Sequence, residues 1–155
     1  MAKRSAGLLM YRWHHGQLEI FLVHPGGPFW AGKELQAWSI PKGEYREGEP
    51  ALEAAEREFQ EETGFAAHGN FIELGSVKQA RGKLVSVWAF EGDCDPKDLI
   101  SNRFQLEWPS HSGRLSEIPE VDRGDWFSID TARKHILKSQ TMFLDRLSEK
   151  VNFAG

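Results

Sequence analysis

The sequence predicts an α/β fold, a mixed β-sheet flanked by helices, on three observations. Apolar runs of strand length stand on both sides of one central helical stretch, two further helical stretches close the chain, and no repeat, low-complexity tract or linker divides it. A chain of 155 residues can bury roughly two-thirds of its unfolded surface without a disulfide or structural metal, so one domain over residues 1–155 is expected. Apolar residues at 40% and charged residues at 27% exclude the disordered and fibrous classes.

Ala6 to Trp13 and Leu18 to Val23 are apolar runs joined by His14-His15-Gly16-Gln17, the pattern of a β-hairpin. His24 to Trp30 holds two prolines and two glycines and reads as a loop carrying Phe29 and Trp30. Ala37 to Ile40 is a short strand that Pro41 ends. Glu49-Pro50 opens a run of helix formers, Ala51 to Thr63, and Gly64 stands where a C-cap glycine belongs. Phe71 to Lys78 and Lys83 to Phe90 form a second antiparallel pair around Arg81-Gly82, and Asp93 to Asp98 is a turn. Arg103 to Trp108 is a strand, Pro109 to Glu120 a loop, and Trp126 to Ile129 a short strand. Asp130 caps a helix over Thr131 to Leu137, and Gln140 to Lys150 is the last helix, with Phe143, Leu144 and Leu147 at core spacing.

Cys94 is the only cysteine, which excludes an intrachain disulfide and a Cys-based zinc site. The apolar runs are too short to span a bilayer, and Gly7 to Tyr11 is too short for a signal core, so no membrane partner and a cytoplasmic location are expected. A net charge of −4 argues against broad nucleic-acid binding, leaving an RNA 5′ end as the exception. The oligomeric state stays open.

The chemistry concentrates between Gly43 and Phe65. Glu58, Glu61 and Glu62 fall within one arc of about 100° on a helical wheel, beside the apolar stripe of Leu52, Ala55 and Phe59. Three carboxylates this close repel one another, and a hard divalent cation with oxygen ligands relieves the repulsion. Mg²⁺ suits the set because it keeps waters and phosphate oxygens among its ligands, and Mn²⁺ is the alternative. Arg57 stands four residues before Glu61 and can hold its orientation. A charge-rich helix is ordinarily a solvated face, yet seven fixed identities and two apolar positions at set spacing arise by chance in roughly one of 10⁷ such chains.

Gly43, Glu49, Arg57, Glu58, Phe59, Glu61, Glu62, Gly64 and Phe65 together resemble the Nudix box without a departure. The resemblance implies the family's α/β/α sandwich over Ser5 to about Leu147, and a Mg²⁺-dependent pyrophosphohydrolase acting on a nucleoside diphosphate derivative. Carried over by position, Glu58, Glu61, Glu62 and the Gly43 carbonyl are the implied metal ligands, with Glu49 and Arg57 in support. Glu120, six residues before Trp126, fits the family's general base outside the box, and Glu58 is the alternative base.

Lys42, Arg81, Lys83 and Arg114 are candidate phosphate partners. Phe29, Trp30, Trp38 and Trp108 are candidate flat contacts for a base, and His24 ends a strand where it could touch substrate. Gln79 and Ala80 stand where certain ADP-ribose hydrolases carry proline and certain dinucleoside polyphosphate hydrolases tyrosine, so neither subfamily mark is present. Segment Trp38 to Glu44 is most similar to the dinucleoside polyphosphate group, within what looks like a bacterial branch of the family. A dinucleoside polyphosphate is therefore the first substrate reading. ADP-ribose or a nucleotide sugar, an oxidised nucleoside triphosphate, and a non-catalytic nucleotide-binding module are the alternatives.

Overall fold

The computed structural model describes residues 3–152 and is a mixed sheet between two helical layers. β1 (Arg4–His14) and β2 (Gln17–Pro25) form the expected hairpin, turning through His15 and Gly16 at φ of 51° and 77°. β1 is the axis of the sheet. One edge pairs in parallel with β5 (Leu84–Glu91), and the other pairs antiparallel with β3 (Lys42–Glu44) and then with β2. β4 (Ile72–Lys78) joins β5, and β8 (Val121–Ser128) joins β2, giving the order β4-β5-β1-β2-β8. β6 (Arg103–Glu107) and β7 (Leu115–Pro119) pair only with each other.

Alternation along β1 sends Leu8 and Met10 to one face and Leu9 and Tyr11 to the other. On the first face α1 (Ala51–Thr63) lays down Ala54, Ala55 and Phe59, packed against Phe21, Val23 and Phe90. On the second, α2 (Ile129–His135) and α3 (Thr141–Asn152) bury Ala132, Phe143, Leu144 and Leu147 against Leu9, Ile20 and Val87. Full burial of Phe59 contributes about 1.5–3 kcal/mol to holding α1 on the sheet. Gly64, at φ 79°, ends α1 and donates its N–H to the Gln60 carbonyl; an added Cβ would lie 2.9 Å from the Ile100 carbonyl oxygen.

Several local expectations change. Ala37 to Ile40 makes only isolated bridges, Val23 to Ser39 and Trp38 to Ile136, because the Ala37 and Trp38 amides donate to the His135 carbonyl instead of to a strand. The extended strand lies after Pro41, at β3. Pro109 to Glu120 is not wholly a loop, since Leu115–Pro119 pairs with β6; Leu115 is 65% exposed, so this pair lacks the buried alternation that announces a strand. β8 begins at Val121, five residues before the expected Trp126. Its Asp122-Arg123-Gly124-Asp125 stretch is polar because β8 is an edge strand bonded only to β2. Ser128, not Asp130, caps α2, its Oγ accepting the Thr131 N–H at 3.3 Å. Among the described residues no helix is long and apolar enough to cross a membrane.

Candidate active site

The helical wheel becomes a layer of carboxylates at the end of α1. Glu58 is 9% exposed, next to the buried stripe, and β3 passes directly over it. Gly43 pairs with Ala6 there, and an added Cβ would lie 2.1 Å from the Glu58 carboxyl carbon. The absent side chain is thus what gives this carboxylate its place. Glu62 accepts the Lys42 backbone N–H at 3.3 Å, so β3 touches two of the three carboxylates Glu58, Glu61 and Glu62.

Arg57 organises the exposed side. Its Nε donates to Glu49 Oε2 at 3.1 Å and its Nη2 to Oε1 at 3.3 Å, a two-point grip. Its Nη1 donates to Glu58 at 2.9 Å and reaches Glu61 at 3.4 Å. Hydrogen bonds to Glu49, ahead of those to Glu58, hold this guanidinium firmly charged. Glu49 and Arg57 therefore occupy supporting positions around Glu58 and Glu61.

The C-terminal carbonyls of α1 have no partner within the helix and are met by the chain after the 3₁₀ turn at Pro96–Asp98. The Ile100 N–H donates to the Thr63 carbonyl at 2.9 Å and the Asn102 N–H to the Glu61 carbonyl at 2.8 Å. Asn102 then turns to the last carboxylate. Its carbonyl accepts the Glu120 N–H at 2.9 Å and its Nδ2 donates to Glu120 Oε1 at 3.3 Å. Glu120, 58 residues beyond Glu62 in sequence, is in this way fastened beside the box glutamates. Asn102 gives no sign of this in the sequence, where it is one polar residue in a polar connection.

Electrostatics bear the crowding out. Burial, then Glu120 and Glu58, push Glu62 up to about 8. Burial and then Glu61 raise Glu58, and burial raises Glu120, with the Asn102 hydrogen bond acting against it and Glu61 adding to it. Burial lowers the Lys42 ammonium, with Lys83 contributing through like charge and Glu62 opposing. Glu62, Glu120 and Lys42 line a cavity of about 190 Å³ whose other walls include Val23, Pro25 and Leu137.

Among the described residues no three His, Cys, Asp or Glu side chains close on one point as a bound ion would require; the positive charge between Glu58 and Glu61 is the Arg57 guanidinium. The donor set nevertheless fits a hard divalent cation. It is all oxygen, two of its members are raised by burial and mutual repulsion, and a missing Cβ keeps room for one of them.

The other candidates divide. Lys42 borders the cavity, whereas Arg81, at φ 64° in the 3₁₀ turn Ala80–Gly82, and Lys83 are exposed and are not part of its walls. Phe29 is 62% exposed, Trp30 packs on the core beside α2 and α3, and Lys33 Nζ lies 3.9 Å from the Phe29 ring centre. Trp108 and Arg114 sit at the exposed end of the β6–β7 hairpin. Two expectations fail outright. Trp38 is 2% exposed and packs edge-on against His24 and Phe127, so it is core, and His24 is buried at 1%, out of reach of any ligand.

The family model of the NUDIX domain matches residues 1–147. The asymmetrical bis(5′-nucleosyl)-tetraphosphatase of Rattus norvegicus is 33% identical over 118 residues, covering 68% of this chain and 76% of the rat protein. Among solved structures, a C. elegans Ap4A hydrolase in a binary complex superposes with a TM-score of 0.67 at 22% identity, covering 96% of this chain and 98% of that one. The NUDIX domain of Shewanella oneidensis NrtR, crystallised with ADP ribose, gives 0.66 at 16% identity over 97% and 89%. These two share the fold. With the box folded onto the sheet as described and the family model matching nearly the whole length, the chain belongs to the Nudix family and is a hydrolase of pyrophosphate bonds.

Proposed function

We propose that this hydrolase cleaves the phosphoanhydride chain of a dinucleoside polyphosphate, with Mg²⁺, or Mn²⁺ in its place, held by Glu58, Glu61, Glu62 and the Gly43 carbonyl. The observation that carries the reading is Glu120, brought by Asn102 to the same cavity as Glu62. The metal, when bound, supplies positive charge to the phosphoryl oxygens and acidifies water. Glu120, raised by burial, accepts the proton of the attacking water and returns it as product leaves. Glu58 is already committed to Arg57, which favours Glu120 over it as base. Arg57, anchored on Glu49, keeps Glu58 and Glu61 from swinging apart. Lys42 in the cavity wall, with Lys83 and Arg81 further out, neutralises the remaining phosphates, and Phe29 and Trp30 offer flat contact for a base.

The substrate class rests on the rat tetraphosphatase, which matches over two-thirds of the chain. We further propose a single domain acting in the cytoplasm, in keeping with the ordinary composition and lone cysteine. The test is Glu61→Gln beside the wild-type protein, each given a dinucleoside tetraphosphate, ADP-ribose, an oxidised nucleoside triphosphate and a 5′-triphosphate RNA with Mg²⁺ and then Mn²⁺. A loss of about 10³-fold or more in kcat on the tetraphosphate, with folding retained, is expected. Turnover of the variant at the wild-type rate, or preference for another substrate in the panel, sinks the corresponding part of the proposal.

A further inference from the structure

The β6–β7 hairpin grows out of the candidate active site. The residue before β6 is Asn102 and the residue after β7 is Glu120, which are hydrogen-bonded to each other and, through the Asn102 N–H, to the Glu61 carbonyl. The hairpin therefore stands on the carboxylate layer, and it shares no strand pairing with the main sheet. At roughly 3.4 Å per residue, its five-residue strands carry the tip about 17 Å from that root.

Its two faces differ. The register pairs Phe104 with Ile118 and Leu106 with Ser116, and the Trp108 N–H donates to the Arg114 carbonyl at 3.0 Å, so alternation sets these six side chains on one face. Glu107, Glu117 and Leu115 lie on the other. The first face is thus apolar, and its one charge is a cation. None of Phe104, Leu106, Trp108 and Ile118 packs against either core, and Phe104 and Trp108 stay 39% and 46% exposed. Ile118 shows which way the face looks. Its Cγ2 lies 3.5 Å from where a Cβ on Gly27 would stand, and a Cβ on Gly26 would lie 2.0 Å from the Pro119 carbonyl oxygen. Two glycines let the hairpin lie against the start of the loop that carries Phe29 and Trp30. Pro25, just before that loop, and Val121, just after Glu120, are walls of the cavity, so loop and hairpin both rise from its rim.

An aromatic face in water calls for an occupant, and its charge selects one. A second copy of the chain, docked face to face about a two-fold axis, would bring no carboxylate to Arg114, since both hairpin glutamates lie on the far side. A polyphosphate does meet a guanidinium, and a nucleobase meets a flat indole. A mononucleotide held at the carboxylates leaves the outer hairpin bare, whereas a second nucleoside joined through several phosphates is carried out along it. We propose that this apolar face is the subsite for the far nucleoside of the dinucleoside polyphosphate, its nucleobase stacked on Trp108 and its neighbouring phosphate met by Arg114, with Phe104 and Leu106 continuing the apolar surface toward the cavity. The subsite rests on the substrate proposed above. It makes Trp108 a specificity-determining residue that selects for a second nucleobase while the carboxylates act on the phosphates.

The experiment compares a dinucleoside tetraphosphate with the corresponding nucleoside tetraphosphate, which has the same phosphates and lacks the second nucleobase. In Trp108→Ala the ratio of kcat/KM on the first to kcat/KM on the second should fall about tenfold, through KM on the first, because base–aromatic stacking is lost. Trp108→Phe keeps a flat ring and should hold the ratio within about threefold of wild type. Leu115→Ser, on the opposite face, is the control expected to match wild type. An unchanged ratio in Trp108→Ala overturns the proposal, as does an equal loss on both substrates. A larger loss on 5′-triphosphate RNA than on the dinucleoside tetraphosphate reassigns the face to an RNA strand and also overturns it. Binding is read apart from turnover in the Glu61→Gln protein with Mg²⁺. There the Trp108 indole N–H, identified in ¹H–¹⁵N NMR by its absence from a Glu61→Gln/Trp108→Phe variant, should shift with the dinucleoside tetraphosphate and hold still with the nucleoside tetraphosphate. Such a shift, in a chain whose wild type hydrolyses neither compound, leaves the subsite standing and refutes the proposed reaction. Hydrolysis by the wild type with an indole that does not move refutes the subsite and leaves the reaction, and absence of both overturns both.

Discussion

Gly43→Ala puts the carboxylate layer under a defined displacement. The new Cβ would sit 2.1 Å from the Glu58 carboxyl carbon and 2.2 and 2.5 Å from its oxygens, where ordinary contact begins at 3.4 Å. The carboxyl group must retreat by about 1.3 Å, the difference between 3.4 and 2.1 Å. It can do so, because it is the far end of a flexible side chain, and the backbone at Gly43 is not at positive φ. Gly→Ala also removes freedom from the unfolded chain, a gain of about 0.4–1 kcal/mol that offsets the strain. Stability should therefore change by no more than about 1 kcal/mol, while kcat falls by about 10²-fold, the loss that a 1 Å misplacement of a positioning group can cause. Melting curves and kcat with Mg²⁺, measured on the same preparation, decide it. Shortening Glu58 in the Gly43→Ala/Glu58→Asp double variant should cost less than the two single losses combined, because the shorter side chain relieves the clash. A kcat within about threefold of wild type in Gly43→Ala would refute the claim that the missing Cβ sets the place of Glu58.

Gln140 is fully buried, its Oε1 accepting the Ile40 N–H at 2.9 Å and its Nε2 donating to Ser39 Oγ at 3.0 Å; Gln140→Leu should cost about 1–3 kcal/mol in a denaturant melt by stranding that amide. An unchanged midpoint would show that this pair contributes nothing. Burial, followed by Asp93, pushes the Cys94 thiol up to about 12, so iodoacetamide at pH 8 should label the native protein hardly at all and the unfolded chain fully. Rapid native labelling would contradict the packing around this residue. Metal-free protein should lose stability as pH rises from about 5 to about 8, because folded Glu62, at about 8 against an ordinary 4.5, binds a proton that the unfolded chain has already released in that window. Melting in EDTA across pH 5–9 tests the sign, and Glu62→Gln should flatten the slope; stability that rises with pH equally in both proteins would reverse the assignment.

How far the site could be read from sequence depends on the kind of bond that builds each part. Glu58, Glu61, Glu62 and Phe59 share one helix, so a 3.6-residue period places them relative to one another and to the sheet without knowledge of the rest of the fold. Gly43 and Gly64 announce themselves because only glycine suits a 2.1 Å approach in one place and a φ of 79° in the other. The β6–β7 hairpin and the first half of β8 carry no such period, since one stands off the core and the other is a polar edge. Asn102 reaches Glu120 across 18 residues, and His24 reaches Asp122 across 98. Nothing in the residue type or its neighbours marks either pairing. The same division runs through the proposed substrate contacts. Lys42 is fixed by the register of β3 against β1, and it lines the cavity. Phe29, Trp30, Arg81 and Lys83 lie on connections whose course is set by contacts far away in sequence. Variants confined to the box should therefore change rate on every substrate alike, whereas exchange of the loop between His24 and Gln36 should change which substrate is taken while leaving the proposed divalent-cation requirement as it was.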